Sequence, residues 1–165
     1  MTFQIRCESV DATHRVAAAL EPLLRPGDVL VLAGELGGGK TTFVQGLARA
    51  MGITGRVTSP TFTLAQTYQG RLTLHHLDVY RLESLHEVID LDLPELMDDK
   101  GVVAIEWGEL IAPELPRDYL LVRLSPGAAG DGPDVRVIEI EARGASWSSR
   151  ETAIASALKP VQGVA

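Results

Sequence analysis

Asparagine is missing altogether from these 165 residues, cysteine occurs once and lysine three times. Each shortage closes off a class of function. The solitary Cys7 can form no disulfide within the chain and no cysteine-based zinc site, which agrees with a reducing cytoplasm. With only Lys40, Lys100 and Lys159 and a formal charge of −7, a broad cationic surface for gripping nucleic acid is not expected. DNA binding is therefore not expected, and any RNA contact should be local or delegated to a partner. Without asparagine the guanine-reading pattern Asn-Lys-x-Asp cannot be written. No apolar stretch approaches the roughly 20 residues that span a bilayer. Met1 to Val10 lacks the basic-then-apolar order of a secretion signal. A cytoplasmic protein with no membrane association is the expectation.

What the chain does have is Gly34 to Thr41, which reads G-E-L-G-G-G-K-T and matches the phosphate-binding pattern G-x-x-x-x-G-K-[ST] in full. Glycines let successive backbone N–H groups turn inward as an anion nest, Lys40 brings a point charge to the outer phosphates, and the Thr41 hydroxyl can ligate magnesium. Asp28 to Ala33 is a short apolar run suited to a buried strand. After the loop, Phe43, Val44, Leu47, Ala48 and Met51 share one helical face, and Gly52 supplies a stop. Strand, loop and helix make bound nucleotide the first hypothesis. The missing asparagine favours ATP over GTP.

At this length one domain is expected. Gln4 to Cys7 reads as a strand, and Asp11 to Leu24 as a helix ended by Pro26-Gly27. Ile53 to Phe62 is an irregular loop where a nucleotide-sensing loop would lie. Leu64 to Tyr68 and Leu72 to Leu77, joined through Gln69-Gly70-Arg71, predict a β-hairpin. Ser84 to Met97 should be helical and broken at Pro94. Val102 to Ile105 reads as a central parallel strand, and Tyr119 to Leu124 and Val135 to Glu141 read as two further strands, joined by a Gly-, Pro- and Ala-rich loop. From Ala145 the chain reads as a weak helix at best, a flexible tail, with the residues after Pro160 mobile.

A magnesium ion on β- and γ-phosphates needs an acidic residue at the end of a neighbouring buried strand, and Glu106 fits that position; the alternative is an ordinary surface carboxylate. Asp78, in His76-Leu77-Asp78-Val79-Tyr80-Arg81, would orient attacking water or bind metal through water, or be a solvated strand end. His76 reads first as a hydrogen-bonded structural histidine and Trp107 as a packing residue. Ser59-Pro60-Thr61-Phe62-Thr63 offers hydroxyls within reach of a γ-phosphate, or an inert loop.

Taken in order, G-E-L-G-G-G-K-T-T, T-S-P-T-F-T, H-x-D-x-Y-R and a buried strand ending I-E-W closely resemble the TsaE (YjeE) family, bacterial ATPases of tRNA threonylcarbamoyladenosine biosynthesis. The resemblance runs from about Ser9 to Trp107. It implies an α/β, three-layer P-loop NTPase-like fold with a mixed parallel and antiparallel central sheet, as a single ATPase domain over residues 1–165. It further implies ATP/ADP and magnesium binding, weak hydrolysis, and action with TsaD and TsaB, through which tRNA is engaged indirectly. Carried over by motif, Gly34, Leu36, Gly37, Gly38, Gly39, Lys40, Thr41 and Thr42 bind phosphates. Thr41 and Glu106 hold magnesium, and Asp78 with Thr61 in the Ser59 to Thr63 loop senses the γ-phosphate. Lys40, Thr61, Asp78 and Glu106 are the expected catalytic group. Val10 and Gly132 are the expected adenine contacts. At Gly38 the family often has alanine; glycine is expected to be tolerated because the loop demands unusual backbone angles.

Three rival functions use the same loop. A guanine-nucleotide switch lacks its reading motif, and a small-molecule kinase would add an acceptor pocket and an arginine-bearing lid. A non-enzymatic module would use nucleotide only to order the Ile53 to Phe62 loop. Arg81 is the nearest motif-bound arginine.

Overall fold

The computed structural model describes residues 1–162. Seven strands form one mixed sheet in the order β1-β7-β6-β2-β5-β4-β3. β2 (Val29–Ala33) and β5 (Val102–Glu106) are buried at every position and pair in parallel at the centre. Parallel strands are covered on both faces, hence their unbroken Val, Ile, Leu and Ala. β4 (Thr73–Asp78) and β6 (Tyr119–Pro126) extend the parallel set on either side. The edges are antiparallel: β3 (Ala65–Gln69) on β4, and β7 (Arg136–Arg143) on β6, with β1 (Thr2–Cys7) on β7.

Period-two alternation divides the core between the two faces of this sheet. Leu30, Leu32, Val102 and Ala104 point to one face, with α1 (Val10–Leu20) and α2 (Lys40–Ala50). All five residues expected on the inner face of α2 are buried. α1 and α2 cross so closely that a Cβ on Gly46 would lie 2.7 Å from the His14 Cα, so a side chain there would force the helices apart. Val29, Val31, Val103 and Ile105 point to the other face, covered by α3 (Leu85–Asp90), α4 (Leu93–Asp98) and the 3₁₀ segment Gly108–Glu114. The result is the expected three-layer α/β arrangement.

Three local expectations change. The first helix stops at Leu20 and continues only as a 3₁₀ turn, Glu21–Leu23, because Pro22 has no N–H to prolong the ladder. The second helical stretch is not broken at Pro94. It breaks at Leu91-Asp92, where Asp92 (φ 47°) caps the Glu95 amide and Pro94 occupies the first turn of the new helix, a position that needs no amide donor. The chain from Ala145 is no loose tail. α5 (Gly144–Ser148) and α6 (Glu151–Leu158) bury Trp147, Ile154 and Leu158 in the α1 and α2 layer. Their Ala- and Ser-rich sequence hides an anchor, Arg150, that binds Asp28 at the start of β2. The expectation of mobility after Pro160 falls partly on Gly163 to Ala165, outside the described residues.

Among the described residues, no helix is long and apolar enough to cross a membrane.

Candidate nucleotide site

β2 ends at Ala33 and the chain turns at once into the glycine loop, so the loop sits where the carboxyl ends of the parallel strands open a crevice. Gly34 is required by sterics: at φ 132° a Cβ would collide with the Leu124 carbonyl of the adjacent strand. Gly37 (φ 74°) and Gly39 (φ 103°) take left-handed conformations, and Gly39 hands the chain into α2. Gly38 does not, which corrects the reason expected for it. A Cβ there would come within 2.9 Å of the Glu35 carbonyl, so crowding rather than backbone angle separates glycine from alanine at this position. The amino end of α2 points its free amides at the crevice, an arrangement suited to phosphate.

Lys40 is 4 % exposed and gives two hydrogen bonds back to its own loop, to the Gly34 and Glu35 carbonyls, both at 2.8 Å. Its Nζ also lies 3.7 Å from the centre of the Trp107 ring. Burial pushes the ammonium below the ordinary lysine pKa, while Glu106, Glu109 and Asp78 pull it back up. Trp107 adopts a left-handed conformation (φ 61°) directly after β5, and its ring meets Tyr80 at 4.6 Å between centroids. It does more than fill the core: it forms the floor under Lys40.

The parallel register sets Asp78 beside Glu106 at the ends of β4 and β5. Glu106 is 3 % exposed, and its Oε1 accepts from the Thr41 hydroxyl at 2.8 Å and pairs with His76 Nε2 at 2.7 Å. Asp78 Oδ2 accepts from the Ser59 hydroxyl at 2.8 Å and the Thr61 hydroxyl at 3.3 Å; its Oδ1 accepts from the Tyr80 amide at 3.0 Å. The Ser59 to Thr63 loop is thus tied to β4, and His76 is tied to the carboxylate expected to hold metal. Phe62 stands exposed beside them with the Arg81 guanidinium over its ring at 4.9 Å.

These groups border one cavity of about 460 Å³, within the roughly 300–1,000 Å³ of small-ligand sites. Leu36 to Thr42, Thr61, Asp78 and Glu106 all line it, as do Tyr80, Arg81, Trp107 and Arg136. Gly34 lies behind the lining. Val10 borders a small adjoining cavity with Thr13, Gly39, Thr42, Asp134 and Arg136. Gly132 lines neither cavity; its hairpin contributes Asp134 and Arg136 instead. Arg136 was not legible in the sequence, since it belongs to no local motif and reaches the loop only through pairing of β7 with β6. Glu109, which accepts from the Gly34 amide at 3.3 Å, meets the loop because the 3₁₀ segment after β5 folds back beside the end of β2.

The model of the family described as threonylcarbamoyl adenosine biosynthesis protein TsaE matches residues 7–131. A Treponema pallidum protein named tRNA threonylcarbamoyladenosine biosynthesis protein TsaE is 47 % identical over 129 residues, 77 % of this chain and 96 % of its own. A Bacillus subtilis protein of the same name is 43 % identical over 140 residues, 84 % of this chain and 85 % of its own. The crystal structure of Bacillus subtilis YdiB superposes with a TM-score of 0.79 at 32 % identity, covering 94 % of this chain and 95 % of that one. The fold is P-loop NTPase-like, and motif, cavity and relatives agree: the chain belongs to the TsaE family.

Proposed function

We propose that this chain binds ATP with magnesium at the Gly34 to Thr42 loop, hydrolyses it slowly, and works with TsaD and TsaB in the threonylcarbamoyladenosine modification of tRNA next to the anticodon. The relatives' names support the pathway. The convergence of Lys40, Thr41, Glu106 and Asp78 on one cavity supports the chemistry and is the observation that carries the reading.

Among the described residues no three His, Cys, Asp or Glu side chains gather to hold a metal by themselves. A hydroxyl and a carboxylate 2.8 Å apart fit a hard cation that takes its other ligands from phosphates and water. Thr41 and Glu106 would hold magnesium, which supplies charge neutralisation on the β- and γ-phosphates. Lys40 stabilises charge on the outer phosphates, and the loop amides cradle the rest. Asp78, itself steadied by Ser59, Thr61 and the Tyr80 amide, orients the water that attacks the γ-phosphorus as the bond to the β-phosphate oxygen breaks.

The test is reconstituted tRNA modification with wild type and Lys40→Ala, alongside ADP release measured alone, with small-molecule acceptors, and with TsaD and TsaB. Lys40→Ala should lower hydrolysis by about 10²–10³-fold, the loss seen when one transition-state donor is removed. It should also stop repeated modification cycles. ADP release stimulated only by an acceptor that becomes phosphorylated would overturn the reading in favour of a kinase.

A further inference from the structure

Arg136 opens β7, yet its guanidinium rests against the phosphate loop. Nη2 donates to the Gly37 carbonyl at 3.1 Å, and Nη1 donates to the Pro133 and Val135 carbonyls at 2.6 and 2.8 Å. The same fork therefore clamps the glycine loop and its own hairpin. Nε is buried without a hydrogen-bond partner among the described residues. It lies close against the last glycine of the loop, since a Cβ on Gly39 would sit 3.4 Å from it. Nη1 gives both its N–H groups to the hairpin, whereas Nη2 gives one to Gly37 and keeps a second for a further acceptor.

The position of that acceptor follows from which residues share each cavity. Ser59, Thr61, Asp78 and Glu106 line only the large cavity, whereas Arg136, Gly39 and Thr42 line both it and the small cavity at Val10 and Thr13. In a phosphate loop the Ser/Thr and acidic groups mark the β- and γ-phosphate end, and the loop amides reach back to the α-phosphate. Arg136 therefore stands at the end away from Asp78. A planar fork with several donors suits a phosphate oxygen.

We propose that Arg136 is a nucleotide-binding residue that clamps the phosphate loop from the β6–β7 hairpin and donates to the α-phosphate end of an adenine nucleotide. This rests on the ATP reading above. It assigns Arg136 to affinity and leaves bond cleavage to Asp78, Glu106 and Lys40.

The experiment measures ADP and AMP binding by calorimetry, and hydrolysis at saturating ATP, for wild type, Arg136→Gln, Arg136→Lys and Arg136→Ala, with melting temperatures for each. Arg136→Gln, whose amide ends where the arginine Nε stands, loses the reach to Gly37 and the charge, and is expected to bind ADP and AMP about 10- to 100-fold more weakly, as for lost charge-assisted hydrogen bonds. Arg136→Lys, which keeps a charge and is long enough to reach Gly37, should fall between wild type and Arg136→Gln in ADP and AMP affinity. Unchanged nucleotide affinity in Arg136→Gln and Arg136→Ala would reduce Arg136 to a structural strut. Loss of kcat with affinity intact would move it to the γ-phosphate end; either result overturns the assignment. Failure of wild type to bind ADP would instead sink the ATP reading itself.

Discussion

The central strands carry a buried polar cluster at each end, and the two are built to opposite plans. At the entry to β2, Arg150 satisfies all five guanidinium N–H groups: Asp28 takes two at 2.7 Å, Leu23 and Ser146 carbonyls take one each, and the Ser146 hydroxyl takes the last. The Arg150 guanidinium also stacks 3.7 Å over Trp147, and Asp28 accepts the Arg25 amide besides. At the exit of β4 and β5, Glu106 is held by Thr41 and His76 through one oxygen, and His76 Nδ1 is buried without a partner among the described residues. Fully matched charges fasten α5 and α6 to the sheet. Unfinished hydrogen bonding beside a cavity leaves capacity for a ligand.

Removing one partner from the closed cluster should have the largest effect. Asp28→Ala strands a buried guanidinium and should cost about 3–5 kcal/mol of stability. At about 2–4 °C per kcal/mol for a chain of this size, melting should fall by roughly 6–20 °C, with ADP affinity per folded molecule unchanged. A melting temperature within a degree of wild type would remove the contrast between the clusters. In the open cluster the larger loss falls on activity. Glu106→Ala strands the buried His76 Nε2 and should cost about 1–3 kcal/mol of stability, while magnesium-dependent hydrolysis drops by about 10²–10³-fold. His76→Gln should raise the magnesium needed for half-maximal hydrolysis by about 10-fold or more, since partners of metal ligands act at that scale. Equal magnesium titrations for wild type and His76→Gln would show that His76 only fills the strand end.

The smallest effect tests a half-buried group outside both clusters. Burial and the neighbouring Arg49 guanidinium hold the His14 pKa below its ordinary value, against the opposing pull of Asp11. The folded state then binds this proton less readily than the unfolded chain. Its contribution is present above the unfolded histidine value near 6.5 and is lost as pH falls toward the depressed folded value. Melting followed from pH 8 to pH 5 should show a shallow acid-side loss that His14→Gln reduces. An identical slope in the variant would assign that limb to carboxylates instead.

Much of the crevice was legible because its parts are local. The glycine loop, the apolar β2 before it and the amphipathic α2 after it depend on spacing within a few residues, and Glu106 was marked by the buried run it terminates. Asp78 was identified as a candidate from its motif, but its place beside Glu106 depends on the parallel register of β4 and β5. His76 looked like a structural histidine and Trp107 like packing; both touch the site, because the residues they meet come from other strands. Arg136 gave no signal at all. The docking of α5 and α6 leaves no local signal because Arg150 acquires its partner, Asp28, from a residue far earlier in the chain.

By itself, then, the sequence determined the glycine loop, the buried strand and helix on either side of it, and the family, since backbone propensity, side-chain periodicity and contiguous motifs act over short chain distances. Tertiary structure alone decided which charges meet: Asp28 with Arg150 at one end of the sheet, and Thr41 with Glu106 and His76, and Arg136 with Gly37, around the crevice. Those pairings follow from strand register and from burial that forces each polar group to find whatever partner the fold brings near, and neither is written in any single segment of the chain.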